Sequence, residues 1–511
     1  MSLFRLLRTV RHLKPIQIWY QVWRRIQKGL EAHPKCGGEE LPAFTFLNLT
    51  AKPKGWNDES LDMLWRYNLH YFDWVITQRR RDAYPPGEAC PRSGCPSRGE
   101  YAENLLERWI KDNPKGCVPG WDPYPTSLRI VNWIKYLQAS SAHSASLRLC
   151  VENSLRAQLD YLAKHIEWHI MANHLLANLK ALVIGNRFLG RDCDKWMRLY
   201  RGQIAEQVLS DGGHYERSVM YHAIILEDVL DVIKFCGDDG AWLRPVAAKM
   251  LRFLVNMTGP DGKIAMFNDA ADGIARPTDE LVDYAKKLGF EAPNAEPFAD
   301  FPDTGYTRMT AGGFVLFVDT APIGPDYQPG HAHADTLTYE LYYKGRKIVT
   351  DVGTSEYRGK RRAFERSTAA HNVVEINGRN SSEVWSSHRV GSRARIVERQ
   401  VERGRIFAAH DGYGFKVGRE LVLTENGLEV KERVDGRGEC VTRVHVCSGV
   451  KYTQDAENVK ISELTIEGLD DIEEFEYAVE FGKLEKGKCL SGSFDGGEFC
   501  YSIKEDGTPT V

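Results

Sequence analysis

The segment Gly330-His331-Ala332-His333-Ala334-Asp335 sets two imidazoles and a carboxylate at alternate positions. On an extended backbone alternate side chains share a face, so His331, His333 and Asp335 point together. Neutral imidazole and carboxylate donors suit zinc. Two more residues of ligand type stand nearby: Asp351 ends the strand after the Lys344-Gly345-Arg346 turn, and His371 begins another. The set implies a divalent metal, zinc first, with calcium or manganese as the other options. The plainer alternative is polar residues satisfied at strand ends, but three or four ligand types rarely gather at strand edges by chance.

Zinc hydrolases of the metallo-β-lactamase type carry a similar H-x-H-x-D. They continue with a further histidine where this chain has Thr336, and they lack a long helical region ahead of the motif. Other segments offer different chemistry. In Asp211-Gly-Gly-His-Tyr-Glu-Arg-Ser218, followed by Tyr221 and His222, Ser218 is placed to cap a helix whose first turn carries a phenol and an imidazole able to line a cleft. Taken alone, such residues are more often packing groups. Asn173 and His174 precede a strongly apolar helix, where Asn173 alone reads as an N-cap. Tyr357 opens a run with five cations and one acid, Glu365; lying between Asp351 and His371, its Arg362 and Arg366 are placed to receive anionic groups. A solvated charge run is the ordinary reading. Trp121 and Arg129, in Gly120-Trp-Asp-Pro-Tyr-Pro-Thr-Ser-Leu-Arg129, are types that stack on sugars and pair with acids, although aromatics at helical spacing usually belong to a core.

These residues need two kinds of scaffold. From about 57 to 295 apolar residues recur at helical spacing, and from Gly312 onward the period changes to two, with strands bounded by Gly, Asn and Asp. The pattern predicts a multi-helix region followed by an antiparallel β-sandwich, divided as 1–50, 51–300 and 301–511, with the change near Glu296 to Thr307. A surface loop is expected from Tyr84 to Gly99. The 511 residues exceed what one core usually supports. A net charge of −3 gives no global case for binding nucleic acid. Eleven cysteines at irregular spacing predict no disulfide framework and favour a reducing compartment. The N-terminus mixes arginines into its apolar residues, so it lacks a signal-peptide core. Leu3, Phe4, Leu6, Leu7 and Val10 against Arg5, Arg8 and Arg11 form an amphipathic helix that either docks on its own domain or lies on an anionic membrane.

Taken together, Asn-His-Leu-Leu-Ala-Asn-Leu-Lys from Asn173, the Asp211 to His222 segment, Gly330 to Leu341, Asp351 to Tyr357 and Arg366 to Asn372 resemble the heparinase II/III superfamily of polysaccharide lyases. The resemblance implies an α+β multidomain chain, an incomplete (α/α) toroid followed by an antiparallel β-sandwich, with a catalytic groove between them. It implies β-elimination at a uronic acid of an acidic polysaccharide, which needs carboxylate neutralisation, a base for the C5 proton and an acid for the leaving O4. By the same resemblance Asn173 and His174 meet the carboxylate, Tyr221 is the acid and at times the base, His331 is the catalytic histidine, and Tyr357 is a second tyrosine base. His333, Asp351 and His371 match the metal ligands, with Asp335 supporting them; tyrosine and histidine both stay open as the base. The source implied is bacterial. Two further readings stand beside this one: a capsule or O-antigen biosynthesis protein on the same scaffold, cytoplasmic or peripheral to the inner membrane face, and a zinc hydrolase acting on a non-sugar substrate.

Overall fold

The computed structural model describes residues 3–30, 34, 36–76, 98–140, 143–449, 452–454, 458–461 and 463–506. The loop expected from Tyr84 lies outside the described residues as far as position 97, and Arg98 and Gly99 already belong to the helix Arg98–Asp112. The chain divides into two compact units.

One unit, residues 14–206 and 231–241, is helical. Asp62 caps Met63–Tyr71 by accepting from the Leu64 amide at 2.7 Å, and Ser144 caps Ala145–Leu162 through the Leu147 amide at 3.1 Å. Pro123 opens Pro123–Ala139, where its missing N–H costs nothing. The helix Ala172–Phe188 is apolar almost all round and correspondingly buried from Leu175 to Asn186. Gly185 lets it approach Ala145–Leu162, since a Cβ there would sit 2.7 Å from a Leu159 methyl. Buried tryptophans at 56, 65, 74, 109 and 133 fill the remaining core. Cys36 and Cys117 form a disulfide, against the expectation of none. The partners are 81 residues apart, so spacing carries no signal of the pairing.

The other unit holds residues 1–13, 207–230 and 242–511. It is a β-sandwich of a nine-stranded and an eight-stranded antiparallel sheet. Leu316, Leu341, Val349, Val444 and Leu490 from the first sheet share one core with Ile406, Leu421, Leu428, Val430 and Ile503 from the second. The strand Tyr339–Tyr343, central in its sheet, is buried along its whole length.

The unit boundaries differ from the sequence division. Residues 207–230 and 242–300, helical in pattern, associate with the sandwich. Residues 1–50 are not a separate arm: Arg5 and Arg8 donate to Glu383, and the Trp385 indole donates to Thr9 Oγ1 at 3.1 Å, which ties the helix Leu3–Val10 to the β unit. Phe4 and Leu7 of this helix are exposed, so its apolar stripe is not fully docked. No described helix is long and apolar enough to cross a membrane.

Candidate active site

Tyr221, His331 and Tyr357 come together within the β-rich unit. Ser218 caps the helix Val219–Cys236, accepting from the Tyr221 amide at 3.2 Å, and so fixes Tyr221 in the first turn. The Tyr221 ring stacks on the His331 imidazole, centroids 3.8 Å apart and planes 29° apart. Its hydroxyl shares a 2.8 Å hydrogen bond with that of Tyr357. Burial, reinforced by the Asp269 carboxylate, pushes the Tyr357 hydroxyl above its ordinary value, so it stays protonated. His331 Nδ1 donates to Asp269 Oδ2 at 2.8 Å, and its Nε2 lies 3.7 Å from Glu216 Oε1. An imidazole oriented by a carboxylate beside phenolic hydroxyls is equipped for general acid–base work.

Asp269 is the hub of this arrangement, and sequence reasoning missed it. Its two oxygens accept from His331 Nδ1, His333 Nε2, both terminal nitrogens of Arg362 and Thr354 Oγ1. Burial opposes its ionisation, but Arg362 and the two histidines outweigh burial and hold the carboxyl well below the usual range. Asn268 precedes it in a left-handed conformation, φ 58°, and its Oδ1 accepts from the His333 amide at 2.9 Å. In sequence Phe-Asn-Asp-Ala-Ala-Asp-Gly reads as a turn. Glu216, also missed, is buried and lies inside a motif where only Tyr221 and His222 drew attention.

The group that could hold a metal ion shares two members with the expected set, His333 and His371. Ligand atoms of His333, Asp335 and His371 lie within 4.8 Å of one another, and all three residues are buried. Asp351, expected as a ligand, accepts from His371 Nδ1 at 2.9 Å through both oxygens and from Thr338 Oγ1 at 3.1 Å. It fixes the ring from behind, as carboxylates do for metal-bound histidines. His371 Nε2 and His333 Nδ1 are left as buried nitrogens with no hydrogen-bond partner among the described residues. Two such lone pairs beside a carboxylate fit a divalent ion.

In the helical unit Asn173 is buried in the first turn of Ala172–Phe188, so it is not the N-cap; Met171 holds that position. Met171 and Ala172 have φ of 64° and 51°, two consecutive left-handed residues without glycine. Strain of this kind gathers at functional sites. The His174 ring packs on Tyr124 at 4.4 Å, and its Nδ1 lies 3.2 Å from Glu167 Oε2. Burial works against the Glu167 charge, but His174 and Asn178 overcome it and hold the carboxyl low. Glu167 gave no motif that sequence reading could find.

The residues expected to bind substrate are placed otherwise. Arg362 is buried, pairs with Asp269 and lies 5.5 Å from the Tyr357 ring, so its charge is already met. Arg366, buried as well, donates to the carbonyls of Ala332, Ser386 and Arg389 and braces the loop carrying the histidines; burial and then Arg362 lower it to about 9. His222 is buried against Phe253, with Nε2 donating to the Met250 carbonyl at 2.9 Å. Trp121 is buried, its indole donating to Asn113 O at 3.0 Å. Arg129 donates to the carbonyls of Gly120 and His70 and to Gln158, beneath Trp109 at 3.8 Å. Arg129→Ala is therefore expected to cost about 3 kcal/mol or more in urea denaturation, because buried acceptors lose their donors. A higher KM with unchanged stability would return Arg129 to substrate binding.

Residues 96–286 match the family model described as Heparinase II/III N-terminus, and residues 293–496 match Heparinase II/III-like, C-terminal. A heparin-sulfate lyase of Bacteroides thetaiotaomicron is 22% identical over 395 residues, covering 65% of this chain and 54% of that protein. A heparin-sulfate lyase of Pedobacter heparinus is 24% identical over 318 residues, covering 53% of this chain and 47% of that protein. The chain thus spans about half the length of the curated relatives it matches. The crystal structure of heparinase III superposes with a TM-score of 0.67 at 17% identity, over 86% of this chain and 77% of that one. The helical unit followed by the β-sandwich fits that toroid-plus-sandwich fold.

Proposed function

Because the chain belongs to the heparinase II/III superfamily, we propose that it is a polysaccharide lyase, a carbon–oxygen lyase that cleaves a uronate-containing polysaccharide of the glycosaminoglycan class by β-elimination. The observation that carries the reading is the Tyr221, His331 and Tyr357 cluster braced by Asp269. In the reaction the C5–H and C4–O4 bonds break, a C4=C5 double bond forms, and the C5 proton and the departing O4 each need a partner. His331 takes the C5 proton: Asp269 holds its Nδ1 and stabilises the imidazolium that results, as a carboxylate does in a catalytic triad. Tyr221 protonates O4, and Tyr357, kept protonated by burial and bonded to Tyr221, resupplies the proton. Asn173 and His174 carry the carboxylate-binding role that the family resemblance gives them. Incubation with heparan sulfate and other uronate polymers is expected to raise absorbance near roughly 230 nm as the conjugated product forms. Cleavage products without the double bond would make the chain a hydrolase and end this reading.

A zinc ion held by His333, Asp335 and His371 is part of the proposal. Two imidazoles and one carboxylate favour zinc over calcium, which prefers all-oxygen shells. Its function here is to cross-link the segments that carry His333 and His371. The purified protein is expected to contain about one zinc per chain. His371→Ala should lose the metal by elemental analysis and lower the melting temperature. Full metal content in that variant would remove the assignment.

A further inference from the structure

We propose that the helix Pro15–Leu30 is a docking surface for an anionic lipid bilayer. Its apolar side chains face the wrong way for a helix of a water-soluble domain. Ile16, Trp19, Trp23 and Ile26 follow i, i+3, i+4 spacing, with Ile18 and Val22 flanking them, and all six are exposed, Trp19 by 64% and Val22 by 51%. The opposite, polar face is the one seated on the protein. Gln17 is buried and accepts from the Lys14 amide at 2.9 Å, Tyr20 packs on Trp168, and Arg24 donates to His169. An amphipathic helix ordinarily buries its apolar stripe; this one presents that stripe outward, and contiguous exposed apolar surface marks an interaction site.

Charge selects the occupant. The helix carries Arg24, Arg25 and Lys28 and neither Asp nor Glu, and Arg25 is exposed. In a symmetric dimer the same patch meets itself, so these cations would face each other across the contact. A bilayer with anionic headgroups accepts both features: the apolar arc enters the headgroup–acyl boundary while the cations remain at the phosphates. Tryptophans such as Trp19 and Trp23 favour that depth, where an apolar ring and a polar N–H are both accommodated. The proposal is independent of the lyase reading, because it rests on surface residues outside the acid–base cluster.

The test is sedimentation of the full chain with vesicles of phosphatidylcholine alone and of phosphatidylcholine mixed with phosphatidylglycerol. Binding is expected to the mixed vesicles, to weaken as salt is raised, and to shift tryptophan emission to shorter wavelength. Trp19→Ser combined with Trp23→Ser should weaken it by about tenfold or more, and Arg25→Glu should also weaken it. Both changes are at exposed positions, so circular dichroism and melting temperature should not move. Equal binding to the two vesicle types, or binding untouched by the tryptophan pair, overturns the proposal. So does concentration-dependent dimerisation in analytical ultracentrifugation that the tryptophan pair abolishes, which would assign the surface to a second copy of the chain.

Discussion

Tyr221→Phe is expected to lower kcat by roughly 10²- to 10⁴-fold, the range in which a positioned proton donor contributes. The ring that stacks on His331 at 3.8 Å remains, so the imidazole keeps its support and the fold keeps its packing. Only the hydroxyl shared with Tyr357 is lost. The loss should fall on kcat with little change in KM, because in the proposed reaction the proton is delivered to O4 in the transition state and not to the bound ground state. A synthetic substrate with a good leaving group at C4 distinguishes this role from mere positioning. Such a group departs without protonation, so Tyr221→Phe should regain most of the wild-type rate on it. If the variant is equally impaired on both substrates, Tyr221 is not the acid, and the role passes to Tyr357 or to the base side of the reaction. Tyr357→Phe should have a smaller effect on the natural substrate, since Tyr221 keeps its own proton for a single turnover.

The large-scale architecture was legible because period is a direct record of burial. The helix Ala172–Phe188 is apolar in almost every position and is buried accordingly, and the alternation after Gly312 marks strands whose inward residues meet in one sandwich core. Which helical residues associate with the sandwich was not legible, because periodicity reports that a face is buried and not what buries it. At the site, alternation predicted three side chains on one face; residues 331–335 lie outside any strand, yet His331 and His333 both meet Asp269 and His333 lies beside Asp335. Alternation could not say which nitrogen of each ring was already engaged. Asp269 takes His331 Nδ1 and His333 Nε2, and Asp351 takes His371 Nδ1; those bonds set His331 beside Tyr221 and leave His333 and His371 to the candidate metal cluster. Arg362 illustrates the same gap. Its charge run reads as solvated or anion-binding, whereas a carboxylate 93 residues upstream neutralises it inside the unit.

Asp269→Asn is expected to be the most damaging single change in the β unit. Five donors converge on the two carboxylate oxygens, and an amide keeps one oxygen while turning an NH₂ group toward the remaining donors. Arg362, buried and deprived of its counter-charge, becomes an uncompensated cation; breaking a buried pair from one side costs about 3–5 kcal/mol. Urea denaturation should show that loss, and kcat should fall further than stability explains, because His331 loses the group that orients its ring. Combining Asp269→Asn with Arg362→Met separates the two effects. Removing both charges takes away the stranded cation, so the double variant should recover part of the stability lost by the single one. It should recover no activity, since nothing replaces the carboxylate at His331 Nδ1. A double variant that regains activity along with stability would reduce Asp269 to a partner of Arg362 and leave His331 to be oriented by Glu216, 3.7 Å from its other nitrogen.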